Sequence, residues 1–292
     1  MDSKKNVIRG LFFAVIGIFI ISFNGQKIYA ADTLAVAVNA ILPENQRNKE
    51  VTYYDLQVTP EQKQELEFEL INSSKKSQTV QLQINNATTN DLGNIDYSDR
   101  TQNLARDTSL KIALTDIAEI PNEVVVPANS QQIVKIKLTI PKEPFEGEIL
   151  GGIRVTTLDE DTEGDASAQM TIKNKVAYTI GLSLTESDEP VKVALDLIDV
   201  KPVIGQGIQA TIQNSQPLVI DGITYHAKVT KKGQQRIIYQ TTVENYRFAP
   251  NSTVNLLIDG NQESLQAGIY DLTIKATTKK PEGTWTMKKE FT

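Results

Sequence analysis

The chain of 292 residues contains no cysteine. No disulfide, thiolate metal site or catalytic thiol can therefore be built from it. Histidine occurs once, as His226. A single imidazole excludes the two-histidine zinc motifs, and it would have to be the base of any Ser-His-Asp triad. No Gly-x-Ser-x-Gly elbow accompanies it. His226 alternates with Thr224 and Lys228, which gives it the outward parity of a strand, so it reads as a solvated, chemically idle side chain. Aromatic residues are only 6% of the chain, which is little for a glycosidase cleft with sugar platforms between two carboxylates. The only tryptophan, Trp285, alternates with Thr284 and Thr286 and reads as core filler, with an exposed binding anchor as the alternative. Asp159, Asp161, Glu163 and Asp165 carry carboxylates at alternate positions, but the stretch lacks the glycine and the distal glutamate of a calcium loop and reads as a solvated hairpin loop. The expectation is a non-enzymatic protein with no cofactor and no metal.

Long hydrophobic runs are also scarce. The one that stands out, Leu11 to Phe23, follows Lys4, Lys5 and Arg9 and precedes Ile28-Tyr29-Ala30-Ala31. That three-part pattern reads residues 1–30 as a secretory signal peptide. The run is short of the roughly 20 residues that a spanning helix needs. Cleavage would remove four basic residues and one acid, taking the net charge from −6 to −9. An acidic surface argues against nucleic acid. It argues equally against simple electrostatic adhesion to anionic lipid or wall phosphates. Recognition should then rest on shape and hydrogen bonds.

What the chain has in abundance is period-two alternation, the mark of half-buried strands. Leu66, Phe68 and Leu70 alternate with Glu65, Glu67 and Glu69. The sets Val80-Leu82-Ile84, Val134-Ile136-Leu138-Ile140, Ile223-Tyr225-Ala227-Val229 and Tyr270-Leu272-Ile274-Ala276 behave likewise. Only Leu110 to Ile117 reads as helix, and no βαβ rhythm appears. The fold class expected is all-β: two immunoglobulin-like antiparallel sandwiches in tandem, spanning residues 32–187 and 188–292. Pairing of Glu65–Ile71 with Gln132–Ile140 would set the glutamates across from Lys135 and Lys137.

The first domain is long for a simple sandwich, and its surplus is the Asn/Thr-rich excursion 86–122. Loops of that length usually carry function or are disordered. Asn85, Asn86, Thr88, Thr89, Asn90, Asp96 and Tyr97 supply planar amides, hydroxyls and an aromatic face, the groups that a glycan needs. The same residues also serve turn chemistry through their own backbone. Tyr53-Tyr54 is a second possible platform, of which alternation lets only one face the core.

Several ordered motifs carry a family resemblance: Ile41-Leu42-Pro43-Glu44-Asn45-Gln46, Tyr54-Asp55-Leu56, Glu67 to Ser74, Asn85 to Asn90 before Ile95-Asp96-Tyr97, and Phe145 to Ile153. Together they resemble the N-terminal domain of the WxL-interacting proteins of Gram-positive bacteria. Ile212 to Pro217 and Gly268 to Leu272 resemble the C-terminal domain of the same family. The resemblance implies a peptidoglycan-binding first domain and a second domain that binds host extracellular matrix. It also implies association with surface proteins carrying a Trp-x-Leu motif, at the extracellular face of the cell envelope. Members of this family usually continue into a transmembrane helix with a basic tail, whereas this sequence stops at Glu290-Phe291-Thr292 with no Leu-Pro-x-Thr-Gly sorting motif. Membrane contact is expected only if such an anchor is missing from the sequence. The rival reading is a chaperone-like assembly factor acting by β-augmentation. An exposed, pairing-competent edge strand would favour it.

Overall fold

The computed structural model describes residues 36–158, 176–260 and 265–292. The expected signal peptide and the acidic stretch 159–165 lie outside the described residues. Almost every alternating run becomes a strand. The first sandwich holds β1 (Val36–Ile41), β2 (Tyr54–Gln57), β3 (Lys63–Asn72), β4 (Gln78–Asn86), β5 (Thr88–Thr89), β6 (Ile95–Asp96), β7 (Ala118–Glu119), β8 (Glu123–Val126), β9 (Ser130–Thr139), β10 (Glu148–Leu158) and β11 (Ala177–Thr185). One sheet has the order β1-β3-β9-β7 and the other β2-β11-β10-β4-β8. Leu66, Phe68 and Leu70 of β3 and Val134, Ile136 and Leu138 of β9 turn into the core between them. Burial of such side chains is the main favourable term, about 1.5–3 kcal/mol each.

β3 and β9 pair antiparallel, with Glu65 opposite Lys137 and Glu67 opposite Lys135. The Lys135 Nζ lies 2.8 Å from Glu65 and 3.6 Å from Glu67, so the ion pairing runs diagonally across the exposed face. Glu69 faces Ile133 instead of a lysine. The helix expected over 110–117 shrinks to one turn, α1 (Leu114–Ile117), and a 3-10 turn at Asp99–Asn103 is added. One edge is not antiparallel: β2 runs parallel to β11, Tyr54 pairing with Leu182 and Leu56 with Leu184. The chain leaves the edge of one sheet at Ile41 and crosses to the other. It therefore enters beside β11 in the same direction, as a long crossover permits. Gln46, 5% exposed, holds that crossover: its amide donates to the carbonyls of Asn48 and Tyr53 and accepts from the Asp55 N–H.

The second sandwich repeats the plan with β12 (Leu195–Val203), β13 (Gly207–Asn214), β14 (Ile220–Lys231), β15 (Ile237–Phe248), β16 (Ser252–Asp259), β17 (Tyr270–Lys279) and β18 (Glu282–Phe291). Its sheets, β12-β13-β16 and β15-β14-β17-β18, match β1-β3-β9 and β8-β4-β10-β11 strand for strand. The same device closes the ends of β3 and β13. Asn72, 1% exposed, donates to the carbonyls of Lys76, Val126 and Pro127. Asn214, fully buried, donates to those of Leu218 and Ala249. The facing turns are Pro127-Ala128-Asn129-Ser130 and Ala249-Pro250-Asn251-Ser252, with Asn129 and Asn251 at φ of 49° and 48°. A buried amide with every polar atom paired fixes one geometry, because leaving it unpaired would cost roughly 1–3 kcal/mol.

The excursion 86–122 does not hang in solvent. Its β5–β6 hairpin docks on the second sandwich, in the split between β15 and β16. Thr89, 3% exposed, shares a 2.8 Å hydrogen bond with the Ser252 hydroxyl, and its Oγ1 accepts from the Ala249 N–H. Asp91 accepts from the Asn255 N–H through its side chain and from the Tyr246 hydroxyl through its carbonyl. The Arg247 N–H donates to the Gly93 carbonyl. Farther along, Asn251 donates to the Ser109 carbonyl and Gln213 to Asp107. Gly93 sits at φ +74° under the Tyr246 ring, where an added Cβ would come within 2.1 Å of Cγ.

Gly93→Ala should therefore lose about 2 kcal/mol or more, from the left-handed backbone and the overlap together. Gly205 has a similar φ of +72° but nothing within 4 Å of a new Cβ. Gly205→Ala should cost only about 1 kcal/mol. Urea unfolding of the two variants measures the difference, and equal losses would mean that the hairpin is not seated on Tyr246.

Candidate functional site

Along the edge of the first sandwich, where β1 and β11 face each other beside the seam, the surface opens into a cleft of about 810 Å³. β1 gives Val38 and Ala40 to its floor, and β11 gives Thr179, Gly181 and Ser183. Three tyrosines, Tyr53, Tyr97 and Tyr178, come from three separate segments. Alternation explains Tyr53: its neighbour Tyr54 is fully buried, with its hydroxyl donating to the Glu67 carbonyl, so Tyr53 turns outward at 42% exposure. Its ring lies over Gly181, where an added Cβ would meet it at ordinary contact distance of 3.6–3.7 Å. Tyr97 is half-buried beside Gly152. Burial, reinforced by the Glu148 charge, pushes its phenol up to about 12, so the hydroxyl stays protonated.

Charge of both signs lines the same cleft. Arg47 lies 3.7 Å from Asp55, donates to Thr185 at 3.2 Å and pairs with Asp188. Arg247, contributed by β15 of the second sandwich, is 3.4 Å from Asp221. Glu148 accepts a 2.6 Å hydrogen bond from the Ser183 hydroxyl, and its N–H donates to the Pro217 carbonyl across the seam. Burial holds the Glu148 carboxyl above the ordinary glutamate range, against the opposing pull of the Ser183 bond, and the Asp55 charge adds to the rise. The arrangement offers apolar ring faces, guanidinium donors and carboxylate acceptors within one depression. It holds no aligned nucleophile and imidazole, since His226 lies on β14, exposed, with Nδ1 3.0 Å from Thr242 Oγ1.

The structure distributes the residues singled out in the sequence. Of the Asn/Thr-rich cluster only Tyr97 lines this cleft, and it is joined there by Tyr53 of the second expected platform. Asn85, 1% exposed, donates to the carbonyls of Tyr97 and Ser98 and accepts from Gln102. Asn86 is bonded in both directions to Thr115. Asn90 accepts from the N–H groups of Leu92 and Asn94, which shapes the hairpin turn. Asp96 accepts from the Ser98 N–H and pairs with Arg100 at 2.9 Å. Thr88 keeps a buried hydroxyl with no hydrogen-bond partner among the described residues. With Asn86 it lines a second, 440 Å³ depression between the sandwiches, away from the tyrosines. Arg47, Tyr178 and Arg247 were not legible as site residues, because each reaches the cleft from a segment distant in sequence. Trp285 is half-buried against the second core, its ring folded over Gly283.

The raised Glu148 carboxyl makes a signed prediction. A folded-state value above the unfolded one penalises the native state once pH rises through the ordinary glutamate range. Glu148→Gln keeps the acceptor for Ser183 and removes the buried charge. It should be more stable than the parent at neutral pH, and the gain should shrink to nothing as pH falls below the ordinary glutamate range. Thermal melts across pH check this; a gain independent of pH would contradict the assignment.

Comparison with known proteins adds two family matches and a set of distant folds. Residues 37–157 match the WxL Interacting Protein, peptidoglycan binding domain, and residues 167–292 match the WxL Interacting Protein, host binding domain. β11 falls inside the second matched range, yet it pairs with β10 and β2 of the first sandwich. Among solved structures, the CsuC–CsuE chaperone–tip adhesion subunit complex of Acinetobacter baumannii is 13% identical, covering 76% of this chain and 90% of that one, with a TM-score of 0.39. The SafA pilin–SafB chaperone complex of Salmonella enterica is 12% identical, covering 90% and 99%, with a TM-score of 0.33. No curated protein matches the chain. The two family matches cover most of the chain in the order that its two sandwiches follow, and the chain belongs to the WxL-interacting proteins, with a peptidoglycan-binding domain followed by a host-binding domain.

Proposed function

We propose that this protein is a non-enzymatic adaptor of the cell surface. Residues 32–187 would hold peptidoglycan in the tyrosine-lined cleft, and residues 188–292 would engage a WxL-type surface protein or a host matrix protein. The observation that carries this reading is the cleft itself. Peptidoglycan presents sugar faces next to peptide stems bearing carboxylates and amines. The cleft presents ring faces at Tyr53, Tyr97 and Tyr178, guanidinium groups at Arg47 and Arg247, and carboxylates at Asp55 and Glu148. In this reading Asn85, Asn86, Thr88, Asn90 and Asp96 act from behind, holding the hairpin and the Tyr97 segment in place. The site of action is the extracellular face of the envelope, and among the described residues no helix is long and apolar enough to cross a membrane.

The chaperone-like rival needs an edge strand free to pair. The longest candidate edge, β15, carries register shifts against β14 and a positive φ at Asn245, and the docked hairpin covers its end. Bulges of this kind blunt pairing.

The test uses the full chain, because the seam makes each sandwich part of the other's surface. Tyr53→Ala and Arg247→Gln remove two cleft groups that the cores do not need. Each should weaken co-sedimentation with purified peptidoglycan by about 1–2 kcal/mol, roughly five- to thirtyfold, without changing the melting temperature. Unchanged sedimentation in the double variant would place peptidoglycan elsewhere.

A further inference from the structure

The acidic balance of this chain hides a local reversal. On the outer face of β15-β14-β17-β18, Lys228 stands opposite Gln240 on one side and Thr273 on the other, and Thr273 stands opposite Lys288. In the next row His226 lies between Thr242 and Lys275, and Lys275 faces Thr286. These two rows contain three lysines, the one histidine, three threonines and a glutamine, and no carboxylate. His226, Lys228, Lys275 and Lys288 are all exposed. Lys228, Lys275 and Lys288 take part in none of the ion pairs found among the described residues, unlike Lys135 and Lys232, which do. The carboxylates of this sheet stand outside these two rows: Asp271 and Glu290 one row away, with Glu290 already taken by Lys232, and Asp221, Glu244 and Glu282 toward the opposite end of the strands, with Asp221 beside Arg247. The centre of the face is dished, with a depression of about 420 Å³ lined by His226, Lys228, Gln240, Thr242, Thr273 and Lys275.

Four strands at their usual spacing make this band about 14 Å wide, and the two rows lie about 7 Å apart. A linear chain can therefore cross the strands with a lysine beneath it on three of the four. No phenylalanine, tyrosine or tryptophan lines the depression, so a neutral sugar would find no broad stacking platform there. Ammonium groups without acidic partners fit fixed anionic groups, and the interleaved hydroxyls and amide fit the sugar hydroxyls between them. We propose that this face docks a sulfated glycan of the glycosaminoglycan type. The proposal rests on the host-binding reading of the second domain. That reading selects a host polyanion over the phosphodiester polymers of the bacterial wall, which share the anionic chemistry.

The experiment titrates the full chain with heparin, with fully desulfated heparin, with poly(glycerol phosphate), and with a matrix-protein coat freed of glycosaminoglycan. Heparin should bind and desulfated heparin should not, and the affinity should fall steeply with salt. Lys228→Gln/Lys275→Gln/Lys288→Gln should lose about 100-fold in heparin affinity, at roughly a factor of five for each lysine near a polyanion. Lys228→Arg/Lys275→Arg/Lys288→Arg should retain it, and a melt of both triple variants separates lost charge from lost fold. The proposal is overturned if the parent chain ignores heparin, if the folded glutamine variant binds as well as the parent, or if poly(glycerol phosphate) binds as tightly. Binding to the matrix-protein coat without heparin binding sinks this proposal and leaves the host-binding reading standing. Loss of both sinks the two together.

Discussion

The seam between the two sandwiches is closed mainly by directed hydrogen bonds, and the buried Thr89–Ser252 hydroxyl pair sits at its centre. Buried hydroxyls carry a cost unless each finds a partner. Here the Thr89 hydroxyl meets both Ser252 and the Ala249 N–H, so the hairpin can lie in only one place. An apolar seam would tolerate sliding. A polar one loses its bonds on a small displacement and therefore behaves as a lock. Tyr246 extends the lock inward: its ring packs edge-on against the core Tyr225 at 5.8 Å and covers Gly93 on its other side. The cleft inherits this rigidity, because Arg247 reaches its rim from the strand to which the hairpin is bonded.

The duplicated plan explains where the lock sits. In both sandwiches a buried asparagine, Asn72 or Asn214, gathers the carbonyls of the turn that faces it. In the second sandwich that turn is also the landing place of the excursion, through Asn251 and Ser252. In the first sandwich the same turn, Asn129-Ser130, closes on its own sandwich, Asn129 donating to the Ser74 carbonyl. One supersecondary device thus serves as plain core closure in one half and as the base of the seam in the other. The two halves of the protein differ less in fold than in what their shared turns are asked to hold.

Much of the fold was legible because alternation has a direct physical meaning. The inward and outward faces of β3 and β9 follow from period two, their pairing from the usual strand order of such sandwiches, and alternation required that only one of Tyr53 and Tyr54 face the core, which is Tyr54. The excursion was visible as a surplus, but its destination was not. Asn90 and Thr89 read as turn chemistry, with sugar binding as the alternative, and only the position of β16 decides that Thr89 is spent on the seam. The parallel β2 edge was missed for a similar reason: four residues pair with a strand more than a hundred positions away, and local pattern is blind to direction. Net charge is silent in another way: it averages over a surface on which Lys228, Lys275 and Lys288, in no ion pair among the described residues, share one face.

The central claim is that the seam makes one cooperative body of two sandwiches that share a plan. Differential scanning calorimetry of the full chain tests it most directly. The account predicts a single transition whose calorimetric and van't Hoff enthalpies agree, as for one cooperative unit. Two resolved transitions, or a calorimetric enthalpy well above the van't Hoff value, would show that the sandwiches unfold independently and would contradict it.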